Sequence, residues 1–290
     1  MNMKTHSKYI VVSLLWIIFL STIYVSMLLR EGFVPENDIP EAPIIYVTKD
    51  RFEDMINKDI DNYFKSFSQA DLRIRLVKDV DEYKQIAKKS FCSESSIADT
   101  LKKKIYHCCS DIEAQLGEYI DDYLYGVSIK KFMELPWKFA IMCDNKYENG
   151  YPHTRGDMII VSKQIIDSYS NDQLARLFIH EKTHIYQKKY PRVMSKYLSE
   201  NGFVKTVKRT TFLDPANPDL DEYRYTHAEL ESFYAKYKSD EPSSFSDIKY
   251  VRDKSSSEHP FEYLAYKMEN IYNNTLPIEE LEKQLLDDTT

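Results

Sequence analysis

The residues of this chain whose types and spacing could do chemistry are His180, Glu181 and His184, which stand in the order His-Glu-x-x-His. On a helix, positions four apart share a face at about 5–6 Å. Both imidazoles could then reach one zinc ion at roughly 2.0–2.1 Å, with Glu181, next to the first ligand, facing the open side of the metal. Zinc lowers the pKa of the water it binds from about 15.7 toward 7. Glu181 would accept the proton of that water as it attacks a peptide carbonyl and deliver one to the leaving amine. The metal would share the charge of the tetrahedral intermediate. The bland alternative is a solvated helix with two surface histidines, and the apolar Leu177-Phe178-Ile179 just before His180 disfavours it.

The pentapeptide needs a helix, and its surroundings supply one. Ser170 followed three residues later by Gln173 is a capping-box start, Leu174, Leu177, Phe178 and Ile185 form an apolar face, and Pro191 ends the run, so a helix is predicted over 172–189. Before it, the runs 137–142 and 157–161 read as strands of a small antiparallel sheet. Residues 158–161 are placed either as an edge on which extended substrate could pair or as an ordinary core strand. After it, a helix over 191–201 should end at Gly202, a residue suited to the left-handed cap. Residues 209–225 read as loop, 226–238 as helix, and 242–257 as polar loop with a short strand at 248–251. A last helix is predicted over 260–273, with Pro260 in its first turn.

Three donors are needed where the pentapeptide gives two. No His-x-x-Gly-x-x-His extension follows His184, since Gln187, Pro191 and Val193 occupy that stretch. Glu262 is the better candidate for the third ligand, one turn into the helix that begins at Pro260, with Ala265 small enough to let that helix approach the first. Glu229 and Glu231 are its rivals, and a solvated helix-start glutamate is the alternative for Glu262 itself. For a donor to stabilise the oxyanion, His259, Tyr250 and His227 are candidates by chemistry, each equally readable as a surface polar residue.

The Glu262-x-x-Ala265 arrangement downstream of His180-Glu181-x-x-His184 resembles the second zinc motif of gluzincins, the thermolysin-like metallopeptidases, over residues 155–270. That resemblance implies that Glu262 is the glutamate ligand of a zinc-dependent peptidase, with peptide or protein as substrate. Two departures stand out. The interval from His184 to Glu262 is longer than theirs, and Tyr266 holds the place where many have an aspartate that orients a ligand histidine. The wider stretch with Gln187, Pro191, Tyr197, Gly202-Phe203 and Asn217-Pro218-Asp219 is also similar to poorly characterised His-Glu-x-x-His proteins of bacteria and large DNA viruses, which implies a shared fold. A zincin fold kept for binding or structure without cleavage is the rival reading.

At the other end, residues 9–29 run without a charge, long enough at about 1.5 Å per residue to span a bilayer core of about 30 Å. Lys4 and Lys8 precede this run and acidic residues follow it, so the positive-inside rule leaves residues 1–8 cytoplasmic and the rest extracellular or lumenal. A cleaved signal peptide fits less well, for want of a small-residue cleavage site after a short apolar core. The reading is thus one transmembrane helix in contact with lipid (residues 1–30), a proline-rich tether (31–44), a helical lobe (45–135), a zincin-like catalytic lobe (136–275) and an acidic tail (276–290). The fold class is α+β, rich in helix. Cys92, Cys108, Cys109 and Cys143 suit two disulfides in an outward-facing domain, with Cys92 and Cys143 each joined to one of the adjacent pair. A net charge of −7 argues against nucleic acid as a partner, since phosphate binding needs clustered base.

Overall fold

The computed structural model describes residues 43–209, 214–227, 231–251 and 259–272, with backbone alone at 231–234 and 250–251. In chain order these hold β1 (Ile44–Tyr46), α1 (Lys49–Lys58), α2 (Gln69–Ile74), α3 (Val80–Ser90), α4 (Asp99–Gly117), β2 (Tyr123–Leu124), β3 (Val127–Ser128), α5 (Ile129–Met133), β4 (Trp137–Met142), β5 (His153–Arg155) and β6 (Met158–Ser162). They continue with α6 (Lys163–Ser168), α7 (Asn171–Lys189), α8 (Pro191–Glu200), β7 (Phe203–Lys208), β8 (Tyr223–His227), β9 (Glu231–Tyr237), β10 (Ile248–Val251) and α9 (Pro260–Glu269). The fold is mixed α+β. No helix among the described residues is long and apolar enough to cross a membrane, and the apolar run 9–29 lies outside them.

The first sheet has the order β1-β4-β6-β5, with β1, β4 and β6 parallel and β5 antiparallel to β6. The expected antiparallel pairing of 137–142 with 157–161 is therefore corrected to a parallel one. The physical reason is legible in the side chains: both strands are apolar almost without alternation and buried on both faces, the mark of a strand inside a covered parallel sheet. Residues 143–157 supply the crossover and return β5 along the outer edge. With β4 on one side and β5 on the other, β6 is a core strand, and the outer position beside it belongs to β5, whose residues are themselves buried.

Helices close both faces of this sheet. Phe52, Met55 and Ile56 of α1 and Tyr83 and Ala87 of α3 pack on Ala140, Met142 and Ile160. On the opposite face Phe178 of α7 meets Phe139 at 4.8 Å between ring centroids, and α4 lies against α7. Removing the Phe178 ring, fully buried, would cost about 3–5 kcal/mol. Next to His180, this packing seats α7 on the sheet.

Sequence period predicted α7 well. Ser170 accepts from the Gln173 amide and Gln173 returns the bond to the Ser170 N–H, so both halves of the capping box are made. Helix α8 ends as expected before Gly202, whose φ of +71° few other residues hold without strain. The region after it departs from expectation. Residues 223–227 and 231–237 are strands, not loop and helix, and join β7 and β10 in a second, antiparallel sheet ordered β10-β9-β8-β7. Strand β7 is exposed at every position but Phe203, so the hydrophobic alternation that reveals a half-buried strand is missing.

The disulfide pairing is also corrected. Cys92 bonds to Cys143, because the segment after α3 pairs with the end of β4: the Cys92 amide donates to the Ile141 carbonyl at 2.8 Å and that of Cys143 to the Ser90 carbonyl at 2.7 Å. Cys108 and Cys109 remain free thiols buried in α4, and burial pushes the Cys108 thiol up to about 11.

Candidate metal centre

Helix α9 crosses α7 with Ala265 fully buried at the contact, and this close approach delivers a carboxylate to the two histidines. His180 Nε2 lies 3.1 Å from His184 Nε2 and 3.1 Å from Glu262 Oε2, and His184 Nε2 lies 3.6 Å from the same oxygen. The three predicted ligands are thus brought together. The rivals are not placed by the structure: Glu229 lies outside the described residues, and so does the side chain of Glu231.

The outer nitrogens decide what the inner ones can be. His180 Nδ1 faces Glu269 Oε2 at 3.1 Å, and His184 Nδ1 faces Gln187 Oε1 at 2.9 Å. The Gln187 amide is oriented by its other end, which donates to the Phe261 carbonyl at 2.9 Å. Both outer partners can accept, so with a cation between the rings each would carry its proton on Nδ1 and present its Nε2 lone pair to the ion. Two lone pairs and a carboxylate oxygen then converge with no donor between them, an arrangement that repels itself unless positive charge sits at its centre. A tetrahedral ion with bonds of 2.0–2.1 Å spaces its ligands about 3.3–3.4 Å apart, against 3.1, 3.1 and 3.6 Å here. The residues fit a divalent cation.

Electrostatics run in the same sense. Burial works to discharge all three groups. It is outweighed at His180, whose pKa is raised well above the usual imidazole value by hydrogen bonds to Glu262 and Glu269. It is outweighed likewise at His184, raised by the charges of Glu262 and Asp219, and at Glu262, held well below the carboxylate range by His184 and His180. The histidine shifts favour positive charge at the point of convergence, as protons or as a metal that displaces them, and the Glu262 shift keeps a negative carboxylate beside it.

Glu181 is buried at the same turn. Its carboxyl is pushed up to about 7 by burial and by the charge of Asp219, against the opposing pull of His180, His184 and the Thr154 hydroxyl. Thr154 sits on β5, and its Oγ1 lies 2.9 Å from Glu181 Oε2 and 3.0 Å from the Glu181 carbonyl. The outward amide of Thr154 donates to Asp219 Oδ1 at 2.8 Å and its carbonyl accepts from Lys188 Nζ at 2.6 Å. The sheet edge, the general-base candidate and the 214–222 segment are therefore tied through one threonine. All border a pocket of about 520 Å³ that also takes in His180, Glu262 and Tyr266.

Other expectations divide. His259 lines the pocket, but its ring is engaged at both nitrogens: Nδ1 accepts from the Phe261 amide as the N-cap of α9, and Nε2 donates to Asp221 at 3.2 Å. It is a structural cap. His227 packs against Phe203 and is not among the pocket's lining residues, and the Tyr250 side chain lies outside the described residues. Tyr266 does hold the place of the expected aspartate, and its ring meets that of His180 edge-on at 4.8 Å. The orienting carboxylate comes instead from Glu269, seven residues after Glu262 and so on the same helix face, a spacing that could have revealed it. Gln187, three residues after His184, had the same signal. Thr154 and Asp219 had none, since only the folded sheet edge brings them to Glu181.

Comparison with protein-family models, with curated proteins and with solved structures finds no match to this chain.

Proposed function

We propose that the chain is a zinc-dependent metallopeptidase of gluzincin type, with His180, His184 and Glu262 as metal ligands and Glu181 as general base. The observation that carries this reading is the convergence of two imidazole nitrogens and one carboxylate oxygen, with each ring fixed from behind by a second hydrogen bond. Zinc is favoured over calcium or magnesium because two of three donors are imidazoles, which hard oxygen-seeking cations avoid. When bound, zinc would supply Lewis acidity, making water a nucleophile at neutral pH and drawing charge from a carbonyl.

The protein's own groups do the rest. Glu181, with an acidity near the pH at which it would work, takes the proton of the attacking water and passes it to the leaving amine. Thr154 holds the carboxylate of Glu181. Glu269 and Gln187 keep the histidines in the tautomer that leaves Nε2 free. The pocket beside them has room for a few residues of extended peptide.

The same reading includes a single-pass anchor at 9–29, with the folded part outside the cytoplasm. The uncharged run, its flanking charges and the Cys92–Cys143 disulfide, at home in an oxidising compartment, support it.

The test is digestion of a peptide library by the full-length chain and by Glu181→Gln, with and without chelator. Wild type should cleave and the variant should lose about 10²–10⁴-fold in rate while keeping its zinc. Full activity in the Gln variant would rule out the mechanism, and a zinc-loaded wild type that cleaves nothing would leave a binding protein on a zincin frame.

A further inference from the structure

Three arginines line the pocket beside the metal centre, and two of them are neutralised where they stand. Arg75 is paired with Glu148 at 2.8 Å and Arg224 with Asp214. Arg209 differs. It follows β7, and its guanidinium is pinned by carbonyl oxygens, that of Asp214 on one terminal nitrogen at 2.9 Å and that of Ser66 on the other at 2.9 Å. Among the described residues it has no carboxylate partner. A guanidinium offers five N–H donors, and these bonds use one on each terminal nitrogen, so among the described residues the Nε–H and one further hydrogen on each terminal nitrogen are uncommitted. The adjoining acids Asp221 and Glu222 do not neutralise it, being tied to Lys205 at 3.1 Å and Lys208 at 2.7 Å.

Carbonyl partners of this kind fix a guanidinium without cancelling its charge. The head is partly buried, so its field is less screened than at an open surface, and its orientation is settled before any ligand arrives, which removes much of the ordering cost of binding. A planar fork with spare donors matches a carboxylate, which can accept two parallel hydrogen bonds. A second buried polar group is among the residues that line the pocket. His153 is 4% exposed, its Nδ1 is taken by the Tyr151 carbonyl at 2.9 Å, and its Nε2 is buried with no hydrogen-bond partner among the described residues.

We propose that Arg209 is a carboxylate-recognition residue of this pocket, so that the peptides it takes carry a negative charge, at the C-terminus or on an acidic side chain, some way from the metal centre. This rests on the pocket being the substrate site of the peptidase proposed above, and it deepens that reading by setting the class of substrate.

The experiment uses retention, which does not depend on turnover. Full-length chain carrying Glu181→Gln and loaded with zinc is immobilised and offered three degenerate hexapeptide pools. One has a free C-terminal carboxylate and no acidic residue, one is amidated with no acidic residue, and one is amidated with a single Glu. At least one carboxylate-bearing pool should be retained about 10-fold or more above the neutral pool, in line with a charge-assisted hydrogen bond, and which one it is separates terminal from side-chain recognition. Adding Arg209→Gln should abolish that preference while leaving retention of the neutral pool unchanged, and Arg209→Lys should restore part of it. A loss of folding would instead lower all pools together, and the Lys variant, which keeps the charge, then supplies the comparison. Equal retention of all three pools, retention of none, or a preference that survives Arg209→Gln would overturn the assignment. An Arg209-dependent preference in a chain whose wild type cleaves none of the pools would sink the peptidase reading and leave the carboxylate site standing.

Discussion

Two buried polar regions border the same pocket and are built on opposite plans. Around Arg75, each charge meets a complement. The guanidinium donates to both oxygens of Glu148, to the Tyr63 hydroxyl and to the Asp71 carbonyl, and Tyr83 donates to Glu148 while accepting from its amide. Glu148 is even held in the left-handed region, at φ 48°, a conformation that costs about 1–3 kcal/mol and persists only where its surroundings insist on it. Around His180, three acceptors point at one another and the donors all face away. A closed network of pairs fixes a shape. A set of like groups with a shared focus asks for a cation, and burial alone would not tell the two apart.

That contrast can be broken by mutation. Replacing His184 with Ala removes one of three ligands, so zinc content should drop from near stoichiometric to near zero, and the stabilisation that saturating zinc gives the wild type, about 4 kcal/mol at a thousandfold excess over Kd, should vanish; thermal melts with and without zinc read this directly. Glu148→Gln should destabilise the chain by about 3–5 kcal/mol, because it leaves Arg75 charged and buried without its partner, yet leave zinc stoichiometry unchanged in the folded fraction. If that variant lost metal while staying folded, the two regions would not be separate.

The pH dependence of stability sharpens the same comparison. Burial pushes the Glu148 carboxyl up, but Arg75 outweighs it and holds the pKa below the usual carboxylate value. The folded form therefore binds this proton less readily than the unfolded one. Its contribution is present above the ordinary glutamate pKa of 4.5 and is lost as pH falls through the lower folded value. Denaturant melts at successive pH values should show an acid limb that Glu148→Gln flattens. A smaller effect is expected at the back of the metal site: Glu269→Gln, which weakens the acceptor behind His180, should lower zinc affinity about 10–100-fold, measurable by competition with a chelator of known affinity. Smallest of all, Lys58→Ala, which removes an exposed one-turn pair with Asp54, should change stability by no more than about 0.5 kcal/mol.

What could be read from the sequence follows from how local each signal was. Helix α7 carried its own cap, period and terminator, and the pentapeptide lay within it, so His180, Glu181 and His184 were legible together. Glu262 was legible through the short helix that presents it. The parallel pairing of β4 with β6 was missed although their nearly continuous apolar runs pointed to it. The second sheet was hidden for a different reason: β7 is solvated on both faces after Phe203, and its exposed Val204 and Val207, three residues apart, give no period of two. Thr154 and Asp219 reach Glu181 only across a sheet edge and a long connection, a tertiary fact with no local trace.

Zinc content of the purified full-length chain, measured by elemental analysis beside the same chain carrying His180→Ala or Glu262→Ala, bears most directly on whether the focus of these three side chains holds a metal. Close to one zinc per wild-type chain and almost none in either variant is the expected result. A folded wild type without zinc, or variants that keep it, would contradict the metal centre and the chemistry built on it.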